Sequence, residues 1–234
     1  MEPIIVLVHS PSVGPSTWRP VADLLTAAGH RVRVPSLLEV AVGGEPPFWP
    51  RVAGAVRDEL KEIPTDHPLV LVAHSNAGLF LPSIRAGLDR PVAASVFVDA
   101  ALPARTGETA VAPPELLDFL RPMAVDGILP RWTDWWDEAD VAPMFADPAM
   151  RQRVVAEEPT LPLSYYEQTV PVPAGWDDHP CSYLLFGPPY EDMAEDARER
   201  GWRTAHLPGA HLHQIVDPAG TARHILGLAA GAAP

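Results

Sequence analysis

Two short runs, apolar at every position, constrain this chain more than anything else in it: IIVLV at residues 4–8 and LVLV at residues 69–72. A strand with one wetted face alternates apolar and polar residues, whereas a strand apolar throughout must have both faces covered. Each run breaks off into turn formers, "HSPSVG" after the first and "HSNAG" after the second. Helical patterns lie between such runs. "STWRPVADLLTAAGH" sets Val21, Leu24, Leu25 and Ala28 on one face, with Gly29 as the C-terminal stop. "FWPRVAGAVRDELKEI" does the same with Val52, Val56, Leu60 and Ile63, charges opposite. "RVRVPSL" is a short, more polar strand that belongs near an edge. "NAGLFLPSIRAGL" reads as a helix interrupted by Pro82, and "VAASVFVDA" as a fourth strand. Strands alternating with helices predict an α/β fold: a mostly parallel, doubly wound sheet of about six strands, helices on both sides.

The alternation stops after residue 102, where the chain turns rich in Pro, Trp and acidic residues with only broken helical periodicity. It resumes at residue 179: "CSYLLFG" as a strand, "EDMAEDARERG" as a helix, "WRTAHLP" as a strand, then a last helix. That helix is well marked, with Asp217 as N-cap, Pro218 at its first position, and Ala222, Ile225, Leu226 and Ala229 inward. The expected layout is a core of residues 1–102 and 179–234, with a mainly helical cap, 103–178, inserted between.

Bulk properties exclude several classes of function. With 234 residues there is room for one large buried core. No apolar run approaches the roughly 18 residues that cross a bilayer. The N-terminus "MEPIIVLVHS" lacks a basic region or small-residue cleavage site, and Cys181 is the single cysteine. Both features lead us to expect a cytoplasmic protein without disulfides, Cys181 being a small core residue. A net charge of −13 with 17 basic residues argues against nucleic acid or anionic membrane as a partner. An Arg-rich, Lys-poor composition points to a GC-rich bacterial source.

The second apolar run ends on Ala73-His74-Ser75-Asn76-Ala77. Small residues two before and two after Ser75 let a strand bend sharply into a helix, lifting the serine oxygen above the carboxyl edge of the sheet. Unpaired N–H groups at the helix start can there stabilise negative charge. By itself small-x-Ser-x-small is a weak signal, and Ser75 as a plain N-cap explains it equally well. Three segments together resemble the α/β-hydrolase superfamily, in its serine esterase and hydroxynitrile lyase-like branch: "VLVHSPSVGPSTW", "VAHSNAG" and "LPGAHLHQIVDP". The resemblance implies Ser75 as nucleophile and His211, seven residues before Pro218, as its base. The order Ser, acid, His along the chain is the one the resemblance implies, and the acid has two candidate places. Asp99 ends the fourth strand, where some members of the superfamily carry it. Glu191 and Asp192 follow "CSYLLFG", where most members carry it, yet Tyr190 stands nearest the expected position and the two acids open a helix. Asp99 is favoured. His213 is expected to turn away, and His74 to hydrogen-bond beneath the turn. No further ligands gather around His211 and His213, so neither metal nor cofactor is expected.

An oxyanion hole needs two donors. Asn76 offers its backbone N–H, but the other usual donor falls on Pro11, which has none. The Ser10 hydroxyl or the Ser12 N–H is the expected substitute. In the cap, Trp132, Trp135, Trp136, Trp176, Tyr165 and Tyr166 serve at least to hold the cap down, and part of the set should roof Ser75. Pro11, Ser12, Trp132 and Trp136 are thus expected to line a mostly apolar pocket. These residues imply a serine hydrolase for a small or medium apolar ester, lactone or thioester, a small-molecule acyl substrate. A lyase, cyclase or acyltransferase on the same site is the alternative. So is a ligand-binding protein that has lost catalysis. Hydroxynitrile lyases carry a lysine after the histidine where this chain has Leu212, and epoxide hydrolases and dehalogenases use an aspartate nucleophile. Both chemistries are therefore disfavoured. Oligomeric state leaves no mark in the sequence.

Overall fold

In the computed structural model, residues 2–230 are described, and every element below lies within them. The first apolar run forms β1 (Ile4–Val8) and the second β3 (Leu69–Ser75), and each is buried along its whole length. They pair in parallel, Ile4 opposite Leu69 through Val8 opposite Ala73. The full sheet has six parallel strands in the order β2-β1-β3-β4-β7-β8. The remaining four are β2 (Val32–Arg33), β4 (Val92–Ala100), β7 (Cys181–Leu185) and β8 (Arg203–His206). The polar strand β2 lies at one edge, as its composition predicts.

Side-chain alternation explains the two layers of helix. Ile4, Val6, Val8, Leu69, Leu71 and Ala73 pack with α2 (Trp49–Glu59), α3 (Leu81–Ala86) and α8 (Glu191–Glu199) on one face. Ile5, Leu7, Val70 and Val72 pack on the other face with α1 (Arg19–Ala27) and α10 (Pro218–Ala230). The expected stripe Val52, Val56, Leu60 and Ile63 is buried, the first two residues in α2 and the last two just past its end. In α1 the stripe differs from expectation. Val21, Ala22 and Leu25 face inward, while Leu24 is 42% exposed and Ala28 is also exposed. The buried face is Trp18, Val21, Ala22 and Leu25, spaced i, i+3, i+4, i+7, with the fully buried Trp18 just ahead of the helix start at Arg19. Gly29, at φ +96°, ends the helix in the left-handed conformation that suits glycine. Asp217 caps α10 by accepting a hydrogen bond from the Gly220 N–H at 2.8 Å.

Between β4 and β7 the chain leaves the sheet. It forms α4 (Pro114–Leu120), α5 (Glu138–Val141), α6 (Pro148–Glu157) and α7 (Leu163–Tyr166). It also forms a two-stranded antiparallel pair absent from the helical expectation, β5 (Gly107–Ala110) and β6 (Thr169–Val172). "GETA" and "TVPV" carry too little apolar alternation to announce strands. Pairing brings the two ends of this excursion together, and β6 sits on the core helix α3, where the Ser83 hydroxyl donates to Pro171 O at 3.2 Å. After β7 and β8, a short helix α9 (His213–Val216) leads into α10. Among the described residues, no helix is long and apolar enough to cross a membrane.

Candidate active site

The β3 strand ends at Ser75, whose backbone is forced to φ 59°, ψ −135°, a region that a residue with a Cβ enters only under strain. The chain then turns into a 3-10 segment, Asn76–Phe80, before α3 begins. Ala73 and Ala77 are fully buried on either side, and Gly78 lies so close to the end of β4 that a Cβ there would collide with the carbonyl oxygen of Ala101. Small residues therefore permit a turn that points the Ser75 side chain away from the sheet. As first residue of the 3-10 segment, Asn76 has an N–H with no carbonyl ahead of it within that segment.

Asp99 reaches the site through an irregularity in the neighbouring strand. His74 pairs with Val98 and Ser75 with Ala100, so β4 carries one extra residue, Asp99, at φ 43°. Such a bulge redirects a side chain at the end of a ladder. Tyr183 on β7 holds the bulge in place. Its hydroxyl accepts from the Ala100 N–H at 2.9 Å and donates to Ala100 O at 2.8 Å. The Asp99 carboxylate has no solvent exposure. Oδ1 accepts from the N–H groups of Phe186 (2.9 Å) and Gly187 (3.3 Å), just past β7. Oδ2 lies 2.7 Å from Nδ1 of His211. The other imidazole nitrogen, Nε2, is 2.9 Å from the Ser75 hydroxyl.

Ser75, His211 and Asp99, read separately from the sequence, thus form one continuous hydrogen-bonded chain. Glu191 and Asp192 do not join it; they occupy the exposed first turn of α8, where acidic residues favour the helix N-terminus. With Nδ1–H donated to a carboxylate, Nε2 is the acceptor for the serine proton. This arrangement can move that proton to the imidazole and stabilise the positive charge that results.

Other rings fix the imidazole. His74, fully buried beneath, donates its Nε2–H to the backbone carbonyl of His211 at 2.8 Å, its ring 4.6 Å from that of His211. Burial, and next the neighbouring His211, hold His74 well below the ordinary histidine range, so it stays neutral. Trp132 from the cap lies 5.9 Å from the His211 ring. Trp136 is not brought there. It is 39% exposed and stacks on the exposed Phe119, so its ring belongs to the outer side of the cap. His213 turns aside, as expected, and packs edge-on against Phe186.

The front loop after β1 contributes Ser10, Pro11 and Ser12. Ser10 O accepts from the Val13 N–H at 3.1 Å, closing a four-residue turn with Pro11 at its second position, where a fixed φ is favourable. The Ser12 N–H, one expected oxyanion donor, is engaged instead. It donates to Ser10 Oγ at 3.3 Å, and Ser10 Oγ in turn reaches Ser12 Oγ at 3.4 Å. His9 anchors the loop's base, donating from Nδ1 to Ser10 O (2.8 Å) and accepting at Nε2 from the Leu37 N–H (3.0 Å). Burial pushes His9 down to about 4.

The sequence reading missed the polar work of two cap tyrosines. Tyr165 donates to Asn76 Oδ1 at 2.6 Å, and Tyr166 shares a 2.5 Å hydrogen bond with Ser12 Oγ. Asn76 Nδ2 donates to Val111 O at 3.1 Å, so the residue after Ser75 is pinned from two sides. Tyr190 was missed as well. Its hydroxyl is 3.3 Å from Ser75 Oγ and its ring stacks on His211. An aromatic residue in place of an expected acid was the only available signal. Among the described residues, no group of three or more His, Cys, Asp or Glu is placed to hold a metal ion.

A model of the alpha/beta hydrolase family matches residues 5–227, and the chain belongs to that family. It is 32% identical over 132 residues to "Esterase PIR7B" of Oryza sativa subsp. japonica, a match covering 53% of this chain and 47% of the esterase. The chain therefore matches about half the length of that curated relative. Among solved structures it resembles an extracellular alpha/beta-hydrolase from a Paenibacillus species, described as sharing homology with Tobacco Salicylic Acid Binding Protein 2. The TM-score is 0.74 at 18% identity over 97% of this chain and 98% of the other. It also resembles a variant of tomato Methylketone Synthase I complexed with beta-ketoheptanoate, with a TM-score of 0.77 at 11% identity over 100% and 99% of the two chains. At such identities the structural matches establish the fold.

Proposed function

We propose that this chain is a serine hydrolase that cleaves a small or medium, mostly apolar carboxylic ester, lactone or thioester through an acyl-enzyme on Ser75. One observation carries the reading: the unbroken path from Ser75 Oγ through His211 to Asp99, with hydrogen bonds of 2.9 and 2.7 Å. Family membership and the partial match to an esterase agree with it. Ser75 Oγ attacks the acyl carbon as its proton passes to His211 Nε2, and Asp99 holds the tautomer and balances the imidazolium. The Asn76 N–H is one oxyanion donor. Ser10 is the second, because its 3.4 Å contact to Ser12 is long enough to be given up for a charged oxygen. His211 then returns its proton to the leaving group, and water repeats the sequence in reverse. Trp132, its ring 5.9 Å from that of His211, supplies an apolar wall that favours uncharged substrates.

Turnover of a short-chain 4-nitrophenyl ester tests the reading. Wild-type protein should hydrolyse it, and Ser75→Ala should lose at least about 10⁴-fold in kcat. Equal turnover by the two proteins would refute it. A second reading, a non-hydrolytic reaction on the same site, draws on the front loop, whose Ser12 N–H is satisfied internally. That reading predicts labelling of Ser75 by a fluorophosphonate without ester turnover.

A further inference from the structure

Tyr190 contacts two of the three groups in the chain of hydrogen bonds, Ser75 and His211, and closely follows the residues that hold the third. It ends a tight turn, Pro188–Tyr190, directly after the two N–H groups that hold Asp99, and two prolines stiffen that turn. Its ring lies parallel to the His211 imidazole, 5.0 Å away at an interplanar angle of 10°. Its hydroxyl is 3.3 Å from Ser75 Oγ. The direction of that hydrogen bond follows from the others. Ser75 has one proton, and Nε2 of His211 receives it, so Tyr190 must be the donor and Ser75 Oγ the acceptor. Burial pushes the Tyr190 hydroxyl up to about 12, which keeps the donor proton in place at neutral pH.

We propose that Tyr190 is a catalytic residue whose hydroxyl hydrogen-bonds to the leaving-group oxygen, adapting the site to esters of weakly acidic alcohols. The inference rests on the serine-hydrolase reading. When Oγ bonds to the acyl carbon, its proton moves to Nε2 and the carbonyl electron pair moves onto oxygen. Oγ is then an ester-like oxygen and a poor acceptor, so the Tyr190 O–H is released. On collapse the bond to the alcohol breaks, and the leaving oxygen takes that electron pair together with the proton from Nε2. It must therefore lie within reach of Nε2, on the side of Ser75 Oγ, the atom that both Nε2 (2.9 Å) and the Tyr190 hydroxyl (3.3 Å) contact. Tyr190 keeps its own proton throughout, donating a hydrogen bond to charge as it develops. The stacked ring meanwhile faces the imidazolium, a favourable cation–π arrangement. An alkoxide leaving group needs such help, whereas 4-nitrophenolate needs little.

The test compares Tyr190→Phe with wild type on two esters of one short-chain acid, an ethyl ester and a 4-nitrophenyl ester, by kcat/KM, which reports acylation. Phe retains the ring and its stacking. The ethyl ester should lose about 100-fold and the 4-nitrophenyl ester less than about fivefold, the loss of one preorganised donor falling on the poorer leaving group. Equal losses on both esters, or none on either, would overturn the proposal. Within wild type alone, log kcat/KM should depend only weakly on the acidity of the leaving alcohol, and a steep dependence would overturn it too. Ser75→Ala on the 4-nitrophenyl ester separates the two levels. Undiminished turnover there defeats the hydrolase reading itself, whereas an inactive Ser75→Ala beside an unselective Tyr190→Phe defeats only the role of Tyr190.

Discussion

Asp99 shows how much of the site rests on single residues. It is buried, accepts two backbone N–H groups on one oxygen and faces His211 with the other. Asparagine preserves its shape and tolerates its positive φ, but it can present an N–H to His211 and so favour the wrong imidazole tautomer. Asp99→Asn should therefore fold with a near-native melting temperature and lose about 10⁴-fold in kcat on a reactive ester. Near-normal turnover would show that Asp99 is not the acid. Ser75, His211 and Asp99 could be singled out because a resemblance over three segments adds to signals that are weak alone: a strand end among small residues, a spacing before Pro218, and a second strand end. Tyr190 and the pair Tyr165 and Tyr166 could not. In sequence a tyrosine looks the same whether its hydroxyl is buried against a partner or merely tolerated at a surface.

At the scale of elements, the turn after β3 depends on close backbone approach. A Cβ at Gly78 would collide with the carbonyl oxygen of Ala101 and press on Ala100, at the end of the strand that carries Asp99. Gly78→Ala should destabilise the fold by about 1–3 kcal/mol, the usual range for overpacking. It should also lower kcat more than it raises KM, because the displaced strand end carries the acid and not the pocket wall. Chemical denaturation and steady-state kinetics check both, and a silent mutation would mean that the strand end can yield freely. Strand and helix positions in the core were legible because buried parallel strands are uniformly apolar and their helices carry clear stripes. The β5–β6 pair escaped notice because "GETA" is polar and "TVPV" holds a proline, neither of which marks a strand. The stripe of α1 was misplaced because Leu24 and Ala22 compete for the same periodicity, and burial of Trp18 ahead of the helix selects the face bearing Ala22.

For the molecule as a whole, buried neutral histidines make stability depend on acid. His9 is pushed by burial from an ordinary value of 6.5 to about 4, and His74 is lowered for the same reason. The unfolded chain takes up these protons below about pH 6.5 while the folded chain refuses them. Stability is thus fully present above pH 6.5 and lost as the pH falls toward 4, by about 3 kcal/mol for His9 alone. Glu158, raised by burial, acts in the opposite sense, since the folded chain accepts its proton more readily than the unfolded one. The histidines outweigh it in number. Denaturation midpoints should fall steadily between pH 7 and 4.5, and a flat profile would mean that the buried histidines accept protons without unfolding. The same burial that makes this fold sensitive to acid keeps the imidazole of His211 ringed by His74, Trp132 and Tyr190 and fixed in orientation.

The central claim, that Ser75 is activated by His211, is tested most directly by peptide mass spectrometry of protein treated with a fluorophosphonate. The account predicts a single label on the peptide bearing Ser75, absent from Ser75→Ala and formed at least about 100-fold more slowly in His211→Ala. A label on another residue, or equal labelling rates with and without the imidazole, would contradict it.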